Sequence, residues 1–183
     1  MSVAPGLPFD GHLVLIGLPG AGKSTIGRAV ANRLHRSFLD FDVEIERRTG
    51  LTVSQLFAQM GEPTFRQMEV ELTYEVAVAP PMVVAPGGGW VTNPGVMALL
   101  RPRARIIHLR VSPTEALRRL SRSRVIRPLL LGPNPTAAMD NLWTSRAELY
   151  GQADIEISVE VHDSQRVIDA VLALAIDLTS GLG

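Results

Sequence analysis

Residues 17–24 read G-L-P-G-A-G-K-S and follow directly on the apolar run H-L-V-L-I. A strand, a glycine-rich turn, a lysine, a hydroxyl residue and then a helical pattern leave few folds open. The spacing G-x-x-x-x-G-K-S in that setting is a phosphate-binding loop. Its glycines let the backbone turn tightly enough for successive N–H groups to converge on phosphate oxygens. The helix that opens there adds partial positive charge at the same point. Gly20, Ala21, Gly22, Lys23, Ser24 and Thr25 are therefore expected to bind a nucleotide. Lys23 reaches the β- and γ-phosphates, and the Ser24 hydroxyl ligates Mg²⁺.

The rest of the chain keeps the rhythm that the loop implies. Short apolar runs, H-L-V-L-I-G, S-F-L-D-F, M-V-V-A, R-I-I-H-L-R and D-I-E-I-S-V-E, alternate with longer amphipathic stretches. That is the pattern of a parallel sheet covered by helices on both faces. Thr52 with Gln55 and Ser112 with Glu115 fit the capping box, and Pro94 and Pro113 suit the first position of a helix. Residues 164–178 place Val167, Ile168, Val171, Leu172, Ala175 and Leu178 on one stripe, predicting a last helix against the sheet. Met60 reads as core. Residues 121–135 combine arginines, prolines and glycine. Composition alone makes them a surface connection; the alternative is a lid over the site.

At 183 residues with 46% apolar side chains, the chain fits one domain, 1–183, with 1–11 a flexible N-terminus. Eighteen basic and eighteen acidic residues cancel, so no net charge draws it to nucleic acid or to a membrane surface. With no cysteine, disulfides and thiolate metal sites are excluded. No apolar window approaches the roughly 20 residues of a membrane span. The expectation is a cytoplasmic protein acting on small molecules.

What the loop serves must be read elsewhere. No N-K-x-D guanine-reading motif is present, and M-V-V-A runs into Pro86, Gly87, Gly88 and Gly89 with no carboxylate. The carboxylates stand instead at Asp40 and Asp42, two residues apart at the end of the second strand. In extended chain they project to the same side; a helix start at Asp42 is the plainer alternative. Arg66 and Arg146 each read, in isolation, as solvated helix residues. The triple glycine either ends a strand or lets a small ligand rest directly on main chain.

Taken together, these elements resemble the shikimate kinase family. The match runs through G-L-P-G-A-G-K-S-T, F-L-D-F-D-V-E-I-E, L-F-A-Q-M-G-E-P-T-F-R, the triple glycine, R-P-L-L at 127–130 and R-A-E-L-Y at 146–150. Only the first is widespread among P-loop proteins. The resemblance implies a three-layer α/β kinase with a five-stranded parallel sheet in the order 2-3-1-4-5 and a lid loop. It also implies ATP-dependent phosphorylation of the 3-hydroxyl of shikimate by a monomer with Mg²⁺ as cofactor. In this family's terms Lys23, Asp42 and Arg127 are catalytic, and Arg119 (beside Arg118) and Arg127 join the ATP contacts. Shikimate would meet Asp42, Arg66, Arg146, Gly87, Gly88, Gly89, Phe57 and Phe65, with Asp40 joining Ser24 at the metal. Planar arginines suit a carboxylate substrate, since they donate in pairs. Two departures stand out: Trp90, where the family generally has a small residue, and S-V-E-V-H-D-S-Q, which lacks the proline commonly set against the adenine. Alternative readings are a kinase of another small hydroxy acid and a ligand-sensing domain without turnover.

Overall fold

The apolar runs become five parallel strands: β1 (His12–Ile16), β2 (Ser37–Asp40), β3 (Met82–Ala85), β4 (Ala104–Arg110) and β5 (Ile155–Ser158). The computed structural model describes residues 7–122, 130 and 132–177. Strand order is β2-β3-β1-β4-β5, as expected. β1 is the middle strand and every one of its residues is buried, which explains its unbroken apolar sequence. Its register runs from His12 opposite Ala104 to Ile16 opposite His108. The loops after β1, β2 and β3 consequently emerge side by side at the carboxyl edge of the sheet, where open α/β sheets place their ligands.

Among the described residues the α-helices are α1 (Lys23–Leu34), α2 (Phe41–Thr49), α3 (Val53–Val78), α4 (Val96–Leu100), α5 (Pro113–Leu120), α6 (Pro135–Tyr150) and α7 (Ser164–Ala173). α1 packs on β3 and α7, α3 on α2 and α4, and α5 on α6. The capping box that opens α3 is complete, with Gln55 N–H donating to Thr52 Oγ1 and Thr52 N–H to Gln55 Oε1. At α5 only half of it forms. Ser112 Oγ accepts from Glu115 N–H, but the Glu115 carboxylate turns to Arg118 and Arg119, and Glu160 takes the Ser112 N–H. Pro113 is the first residue of α5.

Several sequence expectations are corrected. Pro94 does not open α4; Gly95, at φ 79°, is its N-cap. Met60 is 49% exposed rather than core. α7 stops at Ala173, and Ile176–Asp177 instead pairs antiparallel with Leu7–Pro8. The N-terminal stretch is accordingly tied down from Leu7 onward. Phe9 N–H donates to Ala175 O, Arg36 donates to Gly11 O, and the Arg105 guanidinium lies 4.1 Å over the Phe9 ring. Most of the expected lid, including Arg127, lies outside the described residues, as do residues 1–6.

Candidate active site

The phosphate loop is held in shape by backbone that only glycine adopts easily. Gly20 and Gly22 have φ of 87° and 90°, and Gly22 serves as N-cap of α1 without any side-chain cap. The first N–H groups of α1 thus keep their donors for a ligand. Lys23 Nζ donates to the carbonyls of Gly17 (2.8 Å) and Leu18 (3.1 Å), which keeps the amine over the loop. Gly20, Ala21, Gly22, Lys23, Ser24 and Thr25 all line a cleft of about 780 Å³.

Asp40 and Asp42 both reach that cleft, though not by the extended geometry read from the sequence. The chain turns into helix at Phe41, so Asp40 is the N-cap of α2 and Asp42 its second residue. Asp40 Oδ1 accepts from Val43 N–H at 3.3 Å, while Oδ2 receives the Ser24 hydroxyl at 2.5 Å. A hydroxyl and a carboxylate oxygen in contact beside Lys23 form a hard donor set. It suits Mg²⁺, which takes few protein oxygens and completes its shell with phosphate and water.

At its other end the cleft is walled by Arg119, Leu120, Val159 and the start of α7. Arg119 is fixed there by donating to Val159 O at 2.7 Å and to Glu115 at 2.8 Å. Arg118 also pairs with Glu115 but is exposed and does not line the cleft.

A second pocket opens from the first through the shared wall of Pro19, Asp42, Gly87 and Gly88. It gathers Phe57, Phe65, Arg66, Gly89 and Arg146. Neither arginine is the solvated helix residue that its local sequence suggests: Arg146 is 5% exposed and the Arg66 side chain 14%. Phe57 and Phe65 pack at 5.2 Å between centroids, with Arg66 over the Phe65 ring. Arg66 donates to Glu62 (2.6 Å) and Glu69 (2.7 Å). Burial works against its charge, but the two carboxylates outweigh that and raise its pKa.

Glu69 was not anticipated. It is fully buried, accepts from Arg66 and Asn93 on Oε2, and has no hydrogen-bond partner on Oε1 among the described residues. Burial, reinforced by Asp42, raises its pKa even though Arg66 pulls the other way. The available signal was its spacing, three residues after Arg66 and so on the same helix face.

The triple glycine is explained by space. None of the three has a positive φ. A Cβ on Gly87 would sit 2.6 Å from Glu69 Oε1 and 2.9 Å from Asp42 Oδ1; on Gly88, 3.0 Å from Pro19 Cδ; on Gly89, 2.2 Å from Arg66 Nη2. The loop is glycine because the site's own side chains press against it. Trp90, which follows, does not narrow the pocket: its ring is fully buried, and its indole N–H donates to Thr73 Oγ1 at 2.8 Å.

Fold and cleft together define the class, a P-loop kinase of a small molecule. The family model for shikimate kinase matches residues 19–175. A shikimate kinase of Mycobacterium leprae is 41% identical over 161 residues, covering 87% of this chain and 80% of that protein. One from Thermobifida fusca is 42% identical over 159 residues, covering 86% and 91%. The solved structure of shikimate kinase from Acinetobacter baumannii in complex with shikimate superposes with a TM-score of 0.85 at 34% identity, covering 97% of this chain and 96% of that one. The chain belongs to the shikimate kinase family, and its activity is ATP-dependent phosphorylation of shikimate.

Proposed function

We propose that the two joined pockets are the two halves of this reaction. ATP lies along the large cleft with its phosphates over residues 20–25, and shikimate fills the smaller pocket. Its carboxylate faces Arg66 and Arg146, and its 3-hydroxyl faces Asp42. The observation that carries this reading is the shared wall: Asp42, Gly87 and Gly88 line both pockets, so donor and acceptor meet at a carboxylate.

Phosphoryl transfer passes through a loose transition state, so positioning and charge stabilisation matter more than base strength. Asp42 orients the hydroxyl and accepts its proton late. Lys23 leaves the loop carbonyls to neutralise charge on the transferring group. Ser24 and Asp40 would hold Mg²⁺, which supplies further neutralisation of the phosphate oxygens. Arg127 completes the cation set in this reading. The Phe57 and Phe65 pair gives the acceptor ring an apolar wall. Arg119, held against Val159, offers a flat cation beside the nucleotide's base. The whole chain acts as one domain, a cytoplasmic monomer. No helix among the described residues is long and apolar enough to cross a membrane.

The test is ADP release with ATP and Mg²⁺, with shikimate present, absent or replaced by gluconate. Shikimate-dependent turnover is expected, and it should collapse in Asp42→Asn. A charged contact contributes about 1.5–3 kcal/mol, so Arg146→Ala should weaken shikimate roughly 10–150-fold. An unchanged shikimate KM in Arg146→Ala would overturn the placement of the acceptor.

A further inference from the structure

Each carbonyl of the triple-glycine loop is already held. Gly87 O accepts from Trp90 N–H at 3.0 Å, and Gly89 O accepts from Thr92 N–H (3.0 Å) and Thr92 Oγ1 (2.7 Å). Those two are local bonds within one short turn. Gly88 O is different: its donor is the hydroxyl of Tyr150, 62 residues away at the end of α6, at 2.8 Å. A trans peptide fixes a carbonyl and the following N–H antiparallel. The bond to Gly88 O therefore sets the direction of the Gly89 N–H as well.

The same hydroxyl has a second tie. The positive Arg146 guanidinium, one helical turn earlier on α6, acts on it electrostatically, while its proton goes to Gly88 O. Gly88, Gly89 and Arg146 all line the acceptor pocket. On its far side Gly88 is backed by Pro19. The Tyr150 ring has no freedom to follow if the loop shifts. It is 1% exposed and stacked on His108 of β4, with centroids 4.9 Å apart and planes at 14°. Trp143 flanks it at 6.3 Å. Burial pushes the phenol up to about 12, so the hydroxyl keeps its proton through the neutral range.

We propose that Tyr150 is a positioning residue of the acceptor site, whose hydroxyl fixes the Gly88–Gly89 peptide in the geometry that receives the acceptor beside Arg146. A core tyrosine with no such role would only fill space and satisfy one carbonyl. The inference rests on the placement of shikimate given above.

Tyr150→Phe keeps the ring and deletes only the hydroxyl. Shikimate Kd, measured calorimetrically without nucleotide, and shikimate KM are expected to rise about tenfold, the range for one buried hydrogen bond. The KM for ATP should stay within twofold. Trp143→Leu is the control: it removes a stacking neighbour, so it should lower the melting temperature yet leave shikimate Kd within twofold. Three results would overturn the proposal: an unchanged shikimate Kd in Tyr150→Phe, an equal weakening of ATP, or the same loss of shikimate affinity in Trp143→Leu. Arg146→Ala separates the two levels. If it weakens shikimate while Tyr150→Phe does not, positioning fails and the acceptor site stands. If neither variant weakens it, the acceptor site itself is misplaced.

Discussion

Side chains that are absent do as much at this site as those that are present. Gly87, Gly88 and Gly89 use backbone conformations open to any residue, so replacing one tests space alone. In Gly89→Ala the new methyl meets the Arg66 guanidinium and pushes it away from its pairing with the buried Glu69. Stability should fall as Glu69 loses its cation, and shikimate KM should rise about tenfold or more from the loss of a charged contact. In Gly87→Ala the methyl meets Asp42 and Glu69 instead. There Asp42, the carboxylate proposed to face the acceptor hydroxyl, is displaced, so kcat should fall, by as much as roughly 100-fold for an ångström of misplacement. Steady-state kinetics on the two alanines distinguish the effects; the same kcat-to-KM pattern in both would refute this division of the loop. The sequence made the triple glycine visible but could not name what fills the space, because Glu69, Asp42 and Arg66 reach it through the fold.

α3 is one helix by hydrogen bonding but two by direction. Gly61, at φ 79° and ψ 161°, breaks it two residues before Pro63, so the turn bearing Phe57 and the turn bearing Arg66 and Glu69 follow different axes. That backbone region is essentially closed to other residues and costs them on the order of 1–3 kcal/mol. Gly61→Ala should therefore lower the melting temperature by several degrees and raise shikimate KM by separating Phe57 from Phe65. A variant that melts with the wild type would show that the bend is not enforced there. Legibility at this scale followed locality. The Thr52–Gln55 box and Pro113 lie within one turn of the residues they cap, and both were readable. The overrun of α7 was not, because Ile176–Asp177 is extended only by pairing with Leu7–Pro8 from the other end of the chain. The same holds for Asp40 and Asp42, whose strand stops one residue earlier than the apolar run suggests.

Over the whole molecule, two buried histidines weaken the fold in acid, and the raised carboxyl of Glu69 works against them. His12 and His108 are 0% and 2% exposed, and each Nε2 lacks a hydrogen-bond partner among the described residues. Burial is the main reason both pKa values fall below 6.5. Arg103 and Arg36 add to it at His12; at His108 Arg110 and Lys23 add to it, while Glu156 opposes it. Below about pH 6.5 the unfolded chain takes up protons that the folded one refuses, so stability rises with pH across that window and is lost on acidification. Each such proton changes stability by at most about 1.4 kcal/mol per pH unit. The melting temperature should drop between pH 7.5 and 5.5, and less steeply in His12→Asn; a flat profile would sink the assignment.

Pro19 belongs to the phosphate loop and Gly88 to the acceptor loop, and a Cβ on Gly88 would lie 3.0 Å from Pro19 Cδ. An occupant that presses the first loop by a few tenths of an ångström presses the second too. By linkage the influence runs equally both ways: whatever ATP does to the affinity for shikimate, shikimate does to the affinity for ATP. A methyl added at Gly88, which would crowd Pro19, should therefore change that coupling, and titrating each substrate with and without the other would measure it.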